Sequence, residues 1–363
     1  MDADIEKLFN LVRKNDGLSI FKGDDIKMGS VAPYGISTGL AELDLYLGRK
    51  GGFPAGKVIE LYGKPMCGKT SLALQHAAEV QKRGGLVVFI DAEKTYTPAR
   101  ARELGCDPEN IHKLEADTVE EIFKIMHDYL GEPDAEGTKR KATKGYLEDY
   151  DKPVLFIVDS VTGVPTLGDV QGDIDHNDRP GHEAKQIKRG VRKINPMLTA
   201  LKCKPTVLFI THSVAKIGGF GKQSDSGGGL GIKFYASARV EFVAIGNLKG
   251  VNDSRAGQKI AINIEKLKGG HLEYPKFNVE LTNEMGFDRY ESLKLAMCAT
   301  NFADRPAGGR TITILGGTGV EVQVPQKDFR AWVDETSYDE VYQNWRRWCI
   351  NQGVIEPWGG ADS

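Results

Sequence analysis

No stretch of this sequence is apolar for long enough to cross a membrane, and its first residues, MDADIEKLF, carry acids where a secretory signal would carry bases. No membrane association is expected, and the chain reads as cytoplasmic. Cysteine is scarce: Cys67, Cys106, Cys203, Cys298 and Cys349 are odd in number, far apart, and form no Cys-x-x-Cys pair. Neither a disulfide framework nor a structural zinc site is indicated. Charge of one sign is lacking too, since 48 Lys and Arg face 50 Asp and Glu for a net charge of −2. Any binding to nucleic acid must therefore come from local patches. No helix-turn-helix or zinc-finger pattern appears, nor any internal repeat or low-complexity tract. What is present, 363 residues with 40 % hydrophobic and 27 % charged, suits a globular chain with one large core and a smaller appended domain.

The most informative stretch is 57–85. Val58, Ile59 and Leu61 read as a buried strand entering Gly63-Lys64-Pro65-Met66-Cys67-Gly68-Lys69-Thr70, and Leu72, Leu74, Ala77, Ala78 and Val80 give a helix that stops at Gly84-Gly85. Strand, glycine loop and helix in this order form a phosphate cradle. Backbone N–H groups of the loop turn inward around a polyphosphate, and the helix N-terminus, with Ser71 in its first turn, adds positive potential. Lys69 would reach the β- and γ-phosphates and the Thr70 hydroxyl would hold Mg²⁺. The competing reading is a glycine-rich turn that matches by accident, which the flanking strand and helix disfavour.

Further along, Leu86–Ile90, Val154–Val158 and Val207–Ile210 are apolar runs suited to strands covered on both faces. Amphipathic helices alternate with them, Ile122 to Leu130 being the clearest, so the expected fold is α/β with a mostly parallel central sheet flanked by helices. The segments Val240–Ile245, Ile260–Ile264 and Phe277–Leu281 read as antiparallel additions. The expected organisation is an oligomerisation segment at 1–33, a nucleotide-binding core at 34–285, and a small C-terminal α+β domain at 286–363 anchored by Trp332, Trp345 and Trp348.

Parallel sheets bind ligands at the carboxyl ends of their strands. Three polar residues fall there: Glu93 after Phe89-Ile90-Asp91-Ala92, Asp159 after Val158, and His212 after Thr211. Asp159 is placed to hold Mg²⁺ through its water shell, or else caps a turn. Glu93 is placed to deprotonate an attacking water, or else is a solvated loop acid. His212 would bond the γ-phosphate or that water and move when the phosphate leaves, or else is structural. A long glycine-rich loop, 217–229, follows it. A second loop, Gly168–Gly181, leads into a helix whose exposed face carries Lys185, Lys188, Arg189, Arg192 and Lys193; this is either a solvated surface or one side of a polyanion groove that reads the backbone rather than the bases.

With these motifs in order, and with Arg102-Glu103-Leu104-Gly105-Cys106-Asp107 and Lys233-Phe234-Tyr235-Ala236-Ser237-Ala238-Arg239 at similar spacing, residues 34–270 resemble the RecA family of DNA recombinases. His212, where bacterial RecA has glutamine, is similar to the phage UvsX and archaeal RadA branches. The resemblance implies an ATP- and Mg²⁺-dependent ATPase with a RecA-type core that forms a helical filament of its own copies on single-stranded DNA and exchanges strands with homologous duplex DNA. A single-strand-binding protein or a mediator would be a further partner. It places Gly168–Gly181 and Ser213–Leu230 as DNA-binding loops, Lys185 and Lys188 near the DNA backbone, and Gly228 and Gly229 on DNA through backbone N–H groups. Lys233 and Phe234 would sit at the subunit interface. Lys266 and Lys268 would reach across it to a neighbour's γ-phosphate; read alone, they are two lysines alternating along a strand edge.

The sequence departs from the family where the adenine-stacking tyrosine falls on Arg100, whose guanidinium plane can stack instead. The basic stretch Lys139–Lys144 is extra relative to bacterial RecA, and the acidic C-terminal tail of bacterial members is missing. Two other classes compete with the recombinase. A ring-forming motor of the same fold is disfavoured by KFYASAR with the lysine pair; a mediator with a structural nucleotide site is disfavoured by joint retention of Lys69, Thr70, Glu93 and Asp159. Cys67 inside the loop is expected to block nucleotide binding when alkylated.

Overall fold

The computed structural model describes residues 32–131, 144–171, 181–215, 224–227, 229–250, 255–269, 276–306, 308–315 and 321–356. Residues 1–31, Gly228, most of the basic stretch 139–144, most of the first expected DNA-binding loop and half of the second lie outside these residues. In chain order the elements are β1 (Gly35–Ile36), α1 (Ala41–Tyr46), β2 (Phe53–Pro54), β3 (Val58–Gly63), α2 (Lys69–Lys82), β4 (Leu86–Asp91), α3 (Pro98–Glu103), β5 (Ile111–Glu115), α4 (Val119–Leu130), β6 (Val154–Asp159) and α5 (Leu167–Gln171). There follow α6 (His182–Ala200), β7 (Thr206–Ala215), β8 (Ser224–Ser226), α7 (Gly229–Tyr235), β9 (Ala238–Lys249), β10 (Arg255–Leu267), β11 (Lys276–Thr282) and β12 (Gly286–Phe287). The last are α8 (Arg289–Ala299), β13 (Ala303–Asp304), β14 (Thr311–Ile314), β15 (Val322–Pro325), α9 (Phe329–Thr336) and α10 (Tyr338–Asn351).

One large sheet runs β12-β11-β10-β9-β3-β7-β6-β4-β5, with β8 added to β7. From β9 to β5 every pairing is parallel, and β10, β11 and β12 are antiparallel. The segment around Val240–Ile245, expected as an antiparallel addition, is thus parallel to β3 and antiparallel only to β10. Strand period two sorts the apolar runs onto the two faces. Val87, Phe89, Leu155, Ile157, Leu208 and Ile210 pack with α2, whereas Val88, Ile90, Phe156, Val158, Val207 and Phe209 pack with α4 and α6. The helices start where their sequences say. Thr118 and Glu121 form a capping box on α4, and Asp288 caps α8 through the N–H groups of Tyr290 and Glu291.

The elements after β12 close a third core in which Trp345 is 1 % exposed, with Trp332 and Trp348 half-buried against it. This core also takes in Ala41 and Leu45 of α1. A buried polar knot reinforces the join. Asp44 accepts hydrogen bonds from Ser37 Oγ (2.5 Å), Thr38 N (2.7 Å), Thr38 Oγ1 (2.7 Å) and Tyr342 Oη (3.0 Å), while His76 Nδ1 meets the Ser37 carbonyl at 2.7 Å.

Burial pushes Asp44 up from 3.8 to about 6, against the pull of its four donors, and burial pushes His76 down from 6.5 to about 4. The two linkages oppose each other. As pH falls from 6.5 to 4 the native state gains a proton at Asp44 and the unfolded state gains one at the histidine, so Asp44 adds stability while His76 removes it. In Asp44→Asn the histidine is uncompensated. Its stability is expected to fall by roughly 2–3 kcal/mol more than that of the parent chain over this range. Urea titrations at several pH values check this, and equal pH slopes would refute it.

Candidate functional site

The parallel register sets Gly63 of β3 beside His212 of β7 and Asp91 of β4 beside Asp159 of β6. Residues at these carboxyl ends therefore meet in one place. A cavity of about 530 Å³ there is lined by Met66, Lys69, Thr70, Ser71, Glu93, Asp159 and His212, joined by Arg100, Gln258, Thr282 and Asn283.

In the loop 63–70, Lys64, Pro65 and Met66 form an exposed rim above the buried Cys67. Gly68 opens α2 with φ at 89°, and a Cβ there would lie 2.7 Å from the Phe287 ring, so both conformation and space call for glycine. Lys69 is 5 % exposed and its Nζ donates to the carbonyls of Gly63 (3.1 Å) and Lys64 (2.9 Å), spanning the loop from inside. Cys67 Sγ donates to Lys64 O at 2.8 Å, and burial pushes its thiol up. Cys67 is thus a closing contact of the loop, and its buried, raised thiol reacts slowly; the expected block of nucleotide binding on alkylation applies once it is modified.

Thr70 Oγ1 donates to Asp159 Oδ2 at 2.6 Å. Burial, with the charges of Glu93 and Asp91 beside it, raises Asp159 to about 6, which the Thr70 bond and the Lys69 charge offset only in part. A buried carboxylate held up in this way favours a cation. Among the described residues no cluster of three or more His, Cys, Asp or Glu could hold a metal by itself. Two oxygen donors beside a phosphate cradle instead fit Mg²⁺, which takes few protein ligands and completes its shell with phosphate and water.

Glu93 Oε1 accepts hydrogen bonds from Ser160 Oγ (2.7 Å) and His212 Nε2 (2.7 Å). Burial pushes the Glu93 carboxyl up, but these two bonds and the charges of His212 and Lys69 outweigh it and the net shift is downward. Since the carboxylate only accepts, His212 carries its proton on Nε2, and its Nδ1 is buried with no partner among the described residues. His212 does not end its strand as expected. β7 continues to Ala215, where β8 pairs with it from Ser213 to Ala215.

The remaining expected residues are scattered. Arg100, in α3, lines the cavity with Nη1 on Asn283 O (2.7 Å) and Glu103 Oε2 (2.8 Å). Lys266 Nζ donates to the carbonyls of Lys233 (2.6 Å) and Phe234 (3.0 Å), and Lys268 Nζ to that of Tyr235 (3.3 Å), so both hold the end of α7 and neither lines the cavity of its own chain. They do not alternate on a strand, because β10 bulges between Ile264 and Lys266 and ends at Leu267. Beside them Phe234 is 71 % exposed. Lys185 and Lys188 are exposed on α6, and Gly229 opens α7 at φ 71°.

Sequence reasoning gave no role to Ser160, Gln258, Thr282 or Asn283. It also missed the buried Glu60, which accepts from Arg239 Nε (2.5 Å) and Thr211 Oγ1 (3.0 Å), while Arg239 Nη2 reaches Ser226 Oγ of β8 (3.0 Å). An isolated glutamate in the run Val58-Ile59-Glu60-Leu61 was the available signal, since a buried charge needs a partner.

Comparison with known proteins agrees with this geometry. The RecA N-terminal domain family matches residues 5–283. Among relatives, the chain is 33 % identical over 273 residues to Protein RecA of Sulfurimonas denitrificans, covering 74 % of this chain and 72 % of that one. It is 32 % identical over 252 residues to Protein RecA of Brucella anthropi, covering 68 % and 63 %, and 33 % identical over 255 residues to that of Sinorhizobium fredii, covering 69 % and 64 %. The match thus spans less than two thirds of the latter two. On the family match and on relatives above 30 % identity, this chain belongs to the RecA family.

Proposed function

We propose that the chain is a DNA-dependent ATPase that assembles as a helical filament on single-stranded DNA and pairs it with homologous duplex. The observation that supports this most is that Glu93, Ser160 and His212 form one hydrogen-bonded cluster beside Lys69, Thr70 and Asp159, with His212 on the strand that leads toward the glycine-rich stretch 217–229. In this reading Lys69 leaves the loop carbonyls to bind the β- and γ-phosphates of ATP, and Thr70 and Asp159 hold Mg²⁺. When bound, the ion supplies charge neutralisation at the phosphate oxygens. Glu93 is the general base. Both its hydrogen bonds fall on Oε1, which leaves Oε2 to take the proton of the attacking water.

His212 Nε2–H, shared between Glu93 and the γ-phosphate, reports whether that phosphate is present. Arg100 presents its guanidinium to the base. Lys266 and Lys268 act on a neighbour's γ-phosphate, which makes turnover depend on assembly. Lys185, Lys188, Gly228 and Gly229 contact the DNA backbone. The domain division at 34–285 and 286–363, and an oligomerisation role for 1–33, belong to the same proposal.

Negative-stain electron microscopy with single-stranded DNA and a non-hydrolysable ATP analogue tests it. Long helical filaments are expected, absent in Lys69→Ala, with strand exchange between homologous substrates to follow. Closed rings would favour a motor, and no assembly would favour a mediator with a structural nucleotide site.

A further inference from the structure

A second cavity, of about 600 Å³, opens between α4 and α6 and shares no lining residue with the nucleotide cavity. Its floor is apolar. Phe123 of α4 meets Gly190 of α6 so closely that a Cβ at 190 would lie 2.3 Å from its ring, and Val119 also lines the cavity. Larger residues at 190 would push the two helices apart and fill the floor.

The rim is basic. Lys124, Lys144, Arg189 and Lys193 line it, and Lys124, Arg189 and Lys193 make no ion pair among the described residues. Its two acids, Glu120, which also accepts the Leu167 N–H at 2.8 Å, and Asp128, are outnumbered by the four bases. Tyr146 adds an aromatic edge, 79 % exposed and set against Tyr129 with ring centroids 5.5 Å apart. The basic face of α6 is therefore two flanks rather than one. Lys188 packs against α7, where a Cβ at Gly231 would lie 2.8 Å from its Cβ, whereas Arg189 and Lys193 border this cavity.

We propose that the cavity docks an acidic peptide segment with an apolar anchor, carried by a partner protein. The charge of the rim selects carboxylates, and the recessed floor takes a side chain. A nucleic-acid backbone would use the rim and leave the floor empty, so the floor is what favours a peptide. The inference rests on neither the nucleotide site nor the recombinase reading.

Fluorescence anisotropy of the full chain with labelled Asp-Asp-Asp-Asp-Leu-Phe tests it. Saturable binding is expected that weakens as salt is raised. Combining Lys124→Glu with Lys193→Glu is expected to weaken it at least about tenfold, with circular dichroism confirming that the variant is folded. Replacing Leu-Phe by Ser-Ser in the probe is expected to do the same, and this arm leaves the protein untouched. Absence of saturation by about 1 mM peptide would overturn the proposal. So would insensitivity to either change. Displacement of the peptide by oligothymidylate would make the cavity a nucleic-acid site, and self-association that excludes the peptide and is lost in the charge-reversed variant would make its occupant a second copy of the chain; either result overturns the proposal too.

Discussion

Replacing Lys69 by alanine is expected to lower ATP turnover by roughly 10²- to 10³-fold, the usual cost of removing one charge-stabilising donor from a transition state. Two losses add. The ammonium no longer meets developing phosphate charge, and the loop loses the two internal bonds that hold the carbonyls of Gly63 and Lys64 together. Nucleotide affinity should fall with turnover for the first reason, since the two loop bonds are ones that Lys69 gives up when ATP binds. Lys69→Arg separates them, because guanidinium keeps the charge but not the compact reach, so binding should recover more than turnover. Phosphate release in steady state, with nucleotide affinity measured alongside, checks both. Turnover in Lys69→Ala within about fivefold of the parent would remove the loop from the chemistry.

Changing Glu93 to Gln should split the two quantities. General-base catalysis contributes about 10²- to 10⁴-fold, so kcat is expected to drop by that much. Affinity for ATP should hold, since glutamine keeps an oxygen for Ser160 and His212 at the Oε1 position. Filaments formed with ATP would then persist as if with a non-hydrolysable analogue. The downward shift of Glu93 gives the sign of the pH dependence: the base stays ionised through neutral pH, and the acid limb of kcat/KM, which reports the free enzyme, lies below its ordinary value of 4.5. A variant with unchanged kcat would transfer the base role to another group or revive the mediator reading.

Much of this arrangement is legible in the residues. The phosphate loop sits between an apolar strand and an amphipathic helix, and β4, β6 and β7 are continuous apolar runs because both faces of each are covered. β5 is not legible for the opposite reason. Its run Ile-His-Lys-Leu-Glu lies at the sheet edge with His112, Lys113 and Glu115 at the surface or partly so, and local periodicity cannot distinguish that from a loop. Strand direction is equally hidden. Nothing in Val240–Ile245 says that it runs parallel to β3, since that depends on which strand it neighbours.

The same limit applies at the site. Glu93, Asp159 and His212 could be picked out singly as polar residues after apolar runs, but the bond between Glu93 and His212, and the place of Asp159 beside them, follow from the order β7-β6-β4, which no local pattern encodes. Ser160 escaped notice because a serine after an aspartate looks like turn chemistry. On α6, helical periodicity groups five bases on one exposed arc, and only the neighbours on either side, α7 and α4, divide it.

The bond between Asp44 and Tyr342 joins residues 298 positions apart. A ribosome delivers α1 well before α10, so in the interval the nascent chain holds Asp44 without its fourth donor and Ala41 without its apolar cover. Such distant closure is slow, because the entropy of a long loop is lost before any contact compensates it. A product cut short before residue 338 therefore cannot complete the packing around α1.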